Sequence, residues 1–197
     1  MNTDIIKGRL LFLKEAENLK NIMRSSHTSK GRIESTAEHT WRLALLALVF
    51  EDELKYLDFS RVLKMCLVHD LGETINGDVP ATEKKNRPDK DVQERNDLLL
   101  LTQSLDAPLR NAILELWEEY EAGQTQEAVA VKALDKLETI LQHNQGINPD
   151  DFDYEFNLSY GEKYTDKHPL FKSIRALMDT ETMQKLITVN RDKKPML

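Results

Sequence analysis

The sequence contains little cysteine, glycine and proline. Its 197 residues include one cysteine, seven glycines and six prolines. A single cysteine cannot form a disulfide within the chain, so Cys66 is expected to be a small core residue in a reducing compartment, which predicts a cytoplasmic location. Few glycines and prolines leave few breaks in regular structure. The composition therefore excludes disulfide-stapled scaffolds and low-complexity chains.

Basic charge and long apolar runs are also scarce. The 27 Lys and Arg residues are outnumbered by 34 Asp and Glu residues, and the formal net charge is -7. This balance argues against binding to a nucleic acid polymer. The longest apolar run, 43–50, is too short to cross a bilayer, and the first residues lack the pattern of a signal peptide. We therefore expect a soluble protein without a membrane or nucleic-acid partner.

Helical spacing dominates what remains. We predict one all-α domain over 1–197, a helical bundle with its core at about 5–188, a frayed end at 190–197 and no strand. A polar serine-rich loop is predicted at 24–31, and a polar mobile segment at 81–90. The predicted main helices span about 3–19, 36–54, 60–71, 89–105, 108–122, 125–143 and 169–189.

The predicted helix at 36–54 has a clear start signal. Ser35 and Glu38 have the spacing of a capping box, so the helix should begin at about Thr36. His39 then lies in its first turn. The run 43–50 is apolar on every side, which predicts a central, buried helix. Trp41 is expected to pack in the core, as are Met65 and Trp117.

Polar residues interrupt two apolar helical segments. His69 and Asp70 end the apolar run 62–68, where burial without a partner would cost several kcal/mol or more. Either the two groups satisfy each other or a metal ion lies between them, and imidazoles with carboxylates are typical transition-metal ligands. Asp135 interrupts a second buried helix. A metal or a salt bridge to Lys132 or Lys136 would satisfy it equally well.

The remaining histidines are predicted to have ordinary roles. His27 lies in the polar loop, His143 ends a helix and His168 precedes Pro169. Such positions favour surface or capping histidines. His39 differs from them because it lies where an apolar helix meets its end, as His69 does. These two histidines are therefore the candidates for metal ligands.

The ordered set of polar residues resembles the HD-domain metal-dependent phosphohydrolases. The flanking segments are similar to the 5'-deoxynucleotidases of that superfamily, over roughly residues 9–175. These segments are ESTAEH at 34–39, HDLGE at 69–73, NGDVP at 76–80, ELWEEYE at 115–121 and the Leu134–Asp135 pair. The resemblance implies a metal-dependent enzyme that removes the 5'-phosphate from deoxyribonucleoside monophosphates and commonly forms homodimers.

The resemblance also implies roles for individual residues. It implies one divalent transition metal (Mn, Co, Fe, Ni or Zn) held by His39, His69, Asp70 and Asp135. Glu73 and Asp78 match the family's two further acids, which act on the water and the substrate.

A substrate-contacting arginine of one branch matches Arg24, but the tryptophan that often follows it is Ser25 here. This departure leaves the sugar preference open. Arg24, Arg32, Arg42 and Lys84 are the candidates for phosphate binding, each weighed against a plain solvated charge.

Two other functions compete with this interpretation. A related HD hydrolase could act on an alarmone or another phosphoester, but alarmone hydrolases usually have an acid pair where this chain has Glu73 and Thr74. The signature of the cyclic-dinucleotide branch, Gly-Tyr-Pro, does not occur. A non-enzymatic helical module stabilised by metal would need neither Glu73 nor Asp78. The sequence therefore favours a phosphomonoesterase acting on nucleoside 5'-monophosphates.

Overall fold

A computed structural model describes residues 2–78 and 90–192 of the chain, with side chains up to residue 189. The described residues form nine α-helices and two short strands, so the fold is predominantly helical, as predicted. The helices are α1 Thr3–Ala16, α2 Thr36–Val49, α3 Phe59–Val68, α4 Glu73–Asn76, α5 Lys90–Leu101, α6 Ala107–Ala122, α7 Gln126–Gln145, α8 Glu162–Thr165 and α9 Pro169–Asp192. The strands are β1 Met23–His27 and β2 Ile33–Ser35.

Helix α7 is the central element of the fold. The Thr125 hydroxyl accepts a hydrogen bond from the Ala128 N–H (3.1 Å), which caps its first turn. The helix packs against α2, α3, α6, α8 and α9. Its side chains Val131, Leu134 and Leu137 are fully buried in the main core. A polar group in the middle of α7 is therefore held among the other helices rather than in solvent.

The predicted capping box at the start of α2 is confirmed. The Ser35 hydroxyl accepts from the Glu38 N–H (3.3 Å), and the Glu38 carboxylate accepts from the Ser35 N–H (2.9 Å). Both bonds satisfy amides that the first helical turn leaves free. The helix begins at Thr36, and this start fixes His39 in the first turn, pointing toward α7.

The expectation of no strand is wrong. Strands β1 and β2 form an antiparallel pair, with most of β1 inside the segment predicted as a polar loop and β2 just after it. Met23 pairs with Ser35 and His27 with Ile33, so three residues of β1 face the single residue Glu34 of β2. This is an irregular, bulged pairing. The Thr36 N–H donates to the Ile22 carbonyl (2.9 Å), which ties the hairpin to the start of α2.

Helix α2 is not buried on every side, contrary to the prediction. Leu43 and Ala47 are fully buried, but Trp41 is 64% exposed. Leu45, Leu48 and Val49 are also exposed and lie on the same side of the helix as Trp41. The helix therefore has one core face and one apolar face open to solvent. Trp117 and Met65 pack in the core as predicted.

Other predictions near the chain end also need correction. His143, expected to be a surface or capping residue, is buried, and its Nδ1 lies 2.8 Å from the Asn157 side-chain oxygen. Helix α9 continues through Asp192, so residues 190–192 are helical rather than frayed. The predicted mobile segment 81–90, apart from Lys90, lies outside the described residues, as do 193–197. No described helix is both long and apolar enough to span a bilayer.

Candidate metal centre and active-site cavity

Four polar side chains from three helices converge beside the core. His39 comes from the first turn of α2, His69 and Asp70 directly follow α3, and Asp135 lies in the middle of α7. One Asp70 oxygen lies 3.1 Å from His69 Nε2 and 3.7 Å from His39 Nε2. Asp135 Oδ1 lies 3.3 Å from His39 Nε2. The structure therefore brings together all four residues that the resemblance implies as ligands.

Several atoms at this point lack hydrogen bonds. His39 Nε2, His69 Nε2 and Asp70 Oδ2 are buried and have no hydrogen-bond partner of good geometry among the described residues. The ligand atoms of these three residues all lie within 4.8 Å of one another. Unpaired buried polar atoms are costly. Two imidazole nitrogens with carboxylate oxygens are a suitable donor set for a divalent transition metal, so the residues fit such an ion.

The outward-facing atoms of His69 and Asp135 are held by neighbours. The His69 Nδ1–H donates to the Cys66 carbonyl (2.9 Å), which leaves Nε2 directed inward. The Tyr120 hydroxyl donates to Asp135 Oδ2 (2.8 Å), and Lys136 Nζ lies 2.6 Å from the same oxygen. The predicted salt bridge to Lys136 is thus present, yet Oδ1 of Asp135 still faces His39. Such outer contacts orient metal ligands and fix their tautomers.

Charge interactions outweigh burial at this cluster. Burial would raise the pKa of Asp135, but Lys136 and His39 hold it well below its ordinary value. Burial and Arg24 lower the pKa of His39, whereas Glu138 and Asp135 raise it to about 10. In the metal-free protein the carboxylates of Asp135 and Glu138 and the charged imidazole of His39 therefore stabilise one another. A bound cation would replace the imidazole proton as their partner.

Glu73 and Asp78 line the cavity next to the cluster. Glu73 begins α4 and is buried, with Lys90 Nζ 3.4 Å from its carboxylate. Burial and the neighbouring Asp70 and Asp78 raise the pKa of Glu73 far above its ordinary value. Glu73 thus favours its protonated form in the metal-free protein. Asp78, at the edge of the described segment, is half-buried.

Among the candidate phosphate-binding residues that the structure describes, Arg24 lines the cavity, whereas Arg32 and Arg42 do not. Arg24 lines the cavity, 3.5 Å from Glu34 and 3.9 Å from Asp70, and it donates to the Thr139 hydroxyl (3.2 Å). Arg32 lies at the surface in an ion pair with Glu38, outside the cavity.

Arg42 is also absent from the cavity wall. Its Nε lies 2.8 Å from Glu138, and its Nη1 donates to Gln142 (2.6 Å). Arg32 and Arg42 therefore lie away from a phosphate bound at the cluster. Lys84 lies outside the described residues.

The cavity has a volume of about 540 Å³, within the usual range of roughly 300–1,000 Å³ for small-molecule sites. The cluster residues His69, Asp70 and Asp135 line it beside Glu73 and Asp78. Two lysines of α7, Lys132 and Lys136, also line it. Aromatic side chains complete the lining at Tyr120, Phe152, Phe156, Tyr160 and Tyr164. The cavity thus combines an ion-binding end with basic and aromatic surfaces.

Sequence reasoning missed two residues that contact the cluster. Glu138 is fully buried, and its Oε2 makes a short hydrogen bond with His39 Nδ1. It lies one turn after Asp135, among Leu134, Leu137 and Ile140, so the argument used for Asp135 would also have singled it out. Tyr120 lies in the segment 115–121 that carries part of the resemblance, but its acidic neighbours suggest a solvated face and no role is predicted for the tyrosine.

A second group of acids lies behind His39. Ligand atoms of Glu34, His39 and Glu138 also come within 4.8 Å of one another. Two guanidinium groups, however, are already paired with these acids: Arg24 with Glu34 and Arg42 with Glu138. Positive charge therefore already occupies the positions beside them. The cluster around Asp70 and His69 is the better cation site.

The fold has close counterparts among solved structures. A predicted metal-dependent phosphohydrolase from Magnetospirillum magnetotacticum superposes with a TM-score of 0.78 at 25% identity, covering 92% of this chain and 97% of that chain. A conserved hypothetical protein from Pyrococcus furiosus gives a TM-score of 0.57 at 29% identity, covering 83% of this chain and 98% of that one. The fold and the cluster together define an HD-type helical domain.

Comparison of sequences identifies the family. The HD domain family model matches residues 16–175, and the chain belongs to this family. A 5'-deoxynucleotidase HDDC2 from Dictyostelium discoideum is 32% identical over 184 residues, covering 87% of this chain and 97% of that protein. The human 5'-deoxynucleotidase HDDC2 is 36% identical over 141 residues, covering 71% of this chain and 68% of that protein.

Proposed function

We propose that this protein is a metal-dependent phosphohydrolase that removes the 5'-phosphate from deoxyribo- or ribonucleoside monophosphates. The observation that carries the proposal is the group of unpaired buried atoms on His39, His69 and Asp70, which opens into a cavity lined by Glu73 and Asp78. The relatives named as 5'-deoxynucleotidases support this substrate class. The aromatic side chains of the cavity offer surfaces on which a nucleobase can stack.

We propose that His39, His69, Asp70 and Asp135 hold one divalent transition metal: Mn, Co, Fe, Ni or Zn. When bound, such an ion lowers the pKa of a coordinated water and polarises a phosphoryl oxygen. Arg24 lies beside Asp70 and faces the cavity, so its guanidinium is placed to bind the phosphate. Positive charge there offsets the negative charge that builds up on the phosphoryl oxygens.

The proton transfers are proposed for Glu73 and Asp78. Burial favours the protonated form of Glu73, which suits donation of a proton to the leaving 5'-oxygen. Asp78 lines the same cavity, and its carboxylate is proposed to orient the attacking water and take its proton. Lys90, 3.4 Å from Glu73, stabilises that carboxylate after it has given up its proton.

A phosphate-release screen tests the proposed function. Metal-stripped protein is reloaded with each candidate metal and assayed against all deoxyribo- and ribonucleoside 5'-monophosphates, with an alarmone and a simple phosphodiester as further substrates. We expect release from the monophosphates only. Cleavage of the alarmone or the diester alone would move the protein to another branch of HD hydrolases. If the protein binds metal but releases phosphate from none of these substrates, the non-enzymatic helical module would be the remaining interpretation.

We also propose that the protein forms homodimers through α2. Trp41, Leu45, Leu48 and Val49 form an exposed apolar stripe, and the run 43–50 contains no charged residue. A second copy can face this stripe without opposing like charges, and burial of the apolar surface stabilises the pair.

The cytoplasmic location remains a prediction that depends on the buried thiol of Cys66.

Light scattering on the purified protein tests the dimer. Leu45→Glu is expected to convert the dimer into a monomer. Leu177→Glu, at an exposed leucine of α9, serves as the control and should leave the mass unchanged. A dimer that survives Leu45→Glu would exclude α2 as the interface.

A further inference from the structure

Glu138 contacts a candidate ligand without reaching the cavity. It is fully buried on α7, one turn after Asp135, and is absent from the cavity lining. Its Oε2 makes a short hydrogen bond with His39 Nδ1. Any influence of Glu138 on the chemistry must therefore act through the imidazole of His39.

We propose that Glu138 is a positioning residue that fixes the tautomer and the ring orientation of His39. A carboxylate paired with a guanidinium accepts hydrogen bonds, so the proton toward Glu138 stays on Nδ1, and Nε2 is the nitrogen that is free to bind a cation once it has lost its own proton. That Nε2 is the atom that faces Asp70 and Asp135. The inference rests on the proposed metal site, since the tautomer matters only if Nε2 is a ligand.

Arg42 completes the arrangement behind Glu138. Its Nε lies 2.8 Å from Glu138 Oε1, so the two carboxylate oxygens face different partners. Arg42 is held in turn by Gln142 and Gln145, at 2.6 and 3.1 Å. The carboxylate is held between the imidazole and the guanidinium and cannot rotate away from His39 without leaving Arg42.

This geometry predicts an unusual result for the isosteric variant Glu138→Gln. The amide oxygen is expected to face the guanidinium of Arg42, because that group only donates. The amide NH₂ would then face His39 Nδ1 and force the proton onto Nε2, where it blocks ligation. Removing Arg42 as well should free the amide to turn and accept from Nδ1–H again.

The test is a Co²⁺ titration of metal-stripped protein followed by visible absorption. Glu138→Gln should weaken Co²⁺ binding by about 10- to 100-fold, the usual loss for an outer partner of a ligand. Arg42→Met alone should have a smaller effect. The double variant should bind Co²⁺ more tightly than Glu138→Gln, a reversal that lost packing or folding would not produce.

Glu34→Gln is the matched control. Glu34 is also buried and belongs to the same group of acids, but its carboxylate pairs with Arg24 at 3.5 Å. Its neutral variant should keep Co²⁺ affinity close to that of the unmodified protein. Equal Co²⁺ affinity in Glu138→Gln and the unmodified protein would overturn the proposal, whereas failure of the unmodified protein to bind Co²⁺ would overturn the proposed metal site instead.

A spectroscopic measurement keeps the proposal testable if Glu138→Gln does not fold. In the Zn²⁺-loaded unmodified protein, ¹⁵N spectra of the histidine rings should show a protonated Nδ1 on His39, with Nε2 bound to the ion. A His39 ring with an unprotonated Nδ1 would contradict the assignment.

Discussion

The hydroxyl of Tyr120 donates a hydrogen bond to Asp135 at 2.8 Å, and the ring of the same tyrosine packs edge-on against His69, with centroids 5.1 Å apart. One residue of α6 therefore contacts two candidate ligands that come from different parts of the chain. The carboxylate of Asp135 is fixed at Oδ2, and its other oxygen is left to face His39. The geometry of the candidate metal site thus depends on a helix that contributes no proposed ligand of its own.

We expect Tyr120→Phe to weaken metal binding while leaving the fold intact. The ring keeps its packing, but Asp135 loses one hydrogen-bond donor. Such a bond to a charged group is worth about 1 kcal/mol or somewhat more, which corresponds to a loss of roughly fivefold to tenfold in metal affinity. Calorimetric titration with Zn²⁺ measures the change. Tyr154→Phe removes an equally buried hydroxyl that accepts from Asn148 (2.9 Å) outside the cavity lining. That control should bind Zn²⁺ normally, and equal affinities for all three proteins would contradict the role given to Tyr120.

The two arginines Arg24 and Arg32 should differ sharply in steady-state kinetics. Arg24 faces the cavity beside Asp70, whereas Arg32 is at the surface with Glu38. Arg24→Gln is expected to lower kcat/KM for a nucleoside monophosphate by about 100-fold, the scale of losing a charged donor at the transferred group. Arg32→Gln should retain nearly full activity. Similar losses in both variants would mean that the effect comes from overall charge or folding.

Stability of the metal-free protein should depend on pH through Glu34. Burial, with Glu138 nearby, raises the pKa of this carboxyl from an ordinary 4.5 to about 7. The folded state therefore holds the proton more tightly than the unfolded state, and stability is lost as pH rises from about 4.5 through about 7. The loss is on the order of 3 kcal/mol.

Urea unfolding of the chelator-treated protein across that range measures this loss. Glu34→Gln should abolish most of the decline and be the more stable protein above about pH 7. Glu51→Gln, at an exposed acid, should behave like the unmodified protein. A Glu34→Gln variant that declines with pH as steeply as the unmodified protein would rule out Glu34 as the source.

Cys66 should be unreactive while the protein is folded. The thiol is fully buried, and burial together with Asp135 raises its pKa to about 12, so little thiolate exists near neutral pH. A chromogenic disulfide reagent should label no thiol in the native protein and one per chain in guanidinium. Rapid labelling without denaturant would mean that the region around α3 opens readily.

Gly8→Ala should destabilise the protein even though alanine is the better helix former. A Cβ at this position of α1 would lie 2.1 Å from the Ser104 carbonyl oxygen, so the two segments would have to separate. We expect a cost of about 1–3 kcal/mol, which exceeds the gain of roughly 1 kcal/mol in helix propensity. Thermal unfolding measures the difference, with Lys7→Ala on the exposed side as the neutral control. Stabilisation by Gly8→Ala would show that α1 is not held against Ser104.

The sequence predicted those features that depend on local chemistry. Ser35 and Glu38 predict a helix start regardless of the surrounding fold. Polar residues such as His69 and Asp135 can be recognised in the sequence because they interrupt apolar helices. The strand β1 could not be found in this way, because its residues are mostly polar and its partner β2 has only three residues. Pairing of such short strands is decided by contacts with the rest of the fold.

Trp41 and Glu138 show a second limit of prediction from the sequence. An apolar helix is assumed to be buried all round, but a helix at the side of α7 can leave one face open, as α2 does at Trp41. Glu138 lies next to His39 only because α2 and α7 pack together across 99 positions of sequence. The apolar neighbours of Glu138 indicate that it is buried, but nothing in the local pattern indicates that its partner is His39.

The bulge in β1 limits where the length of this chain can change. Regular strand alternation would direct only every second residue to one side, yet Arg24, Ser25 and Ser26 all line the cavity, because the three residues face the single residue Glu34. Loss of two residues from this triplet would restore one-to-one pairing with Glu34, and loss of one would leave a two-to-one bulge; either change reduces the number of side chains from β1 that can line the cavity. Among natural and engineered variants, insertions and deletions should therefore be accepted in the hairpin turn around Gly31 and rejected between Met23 and His27.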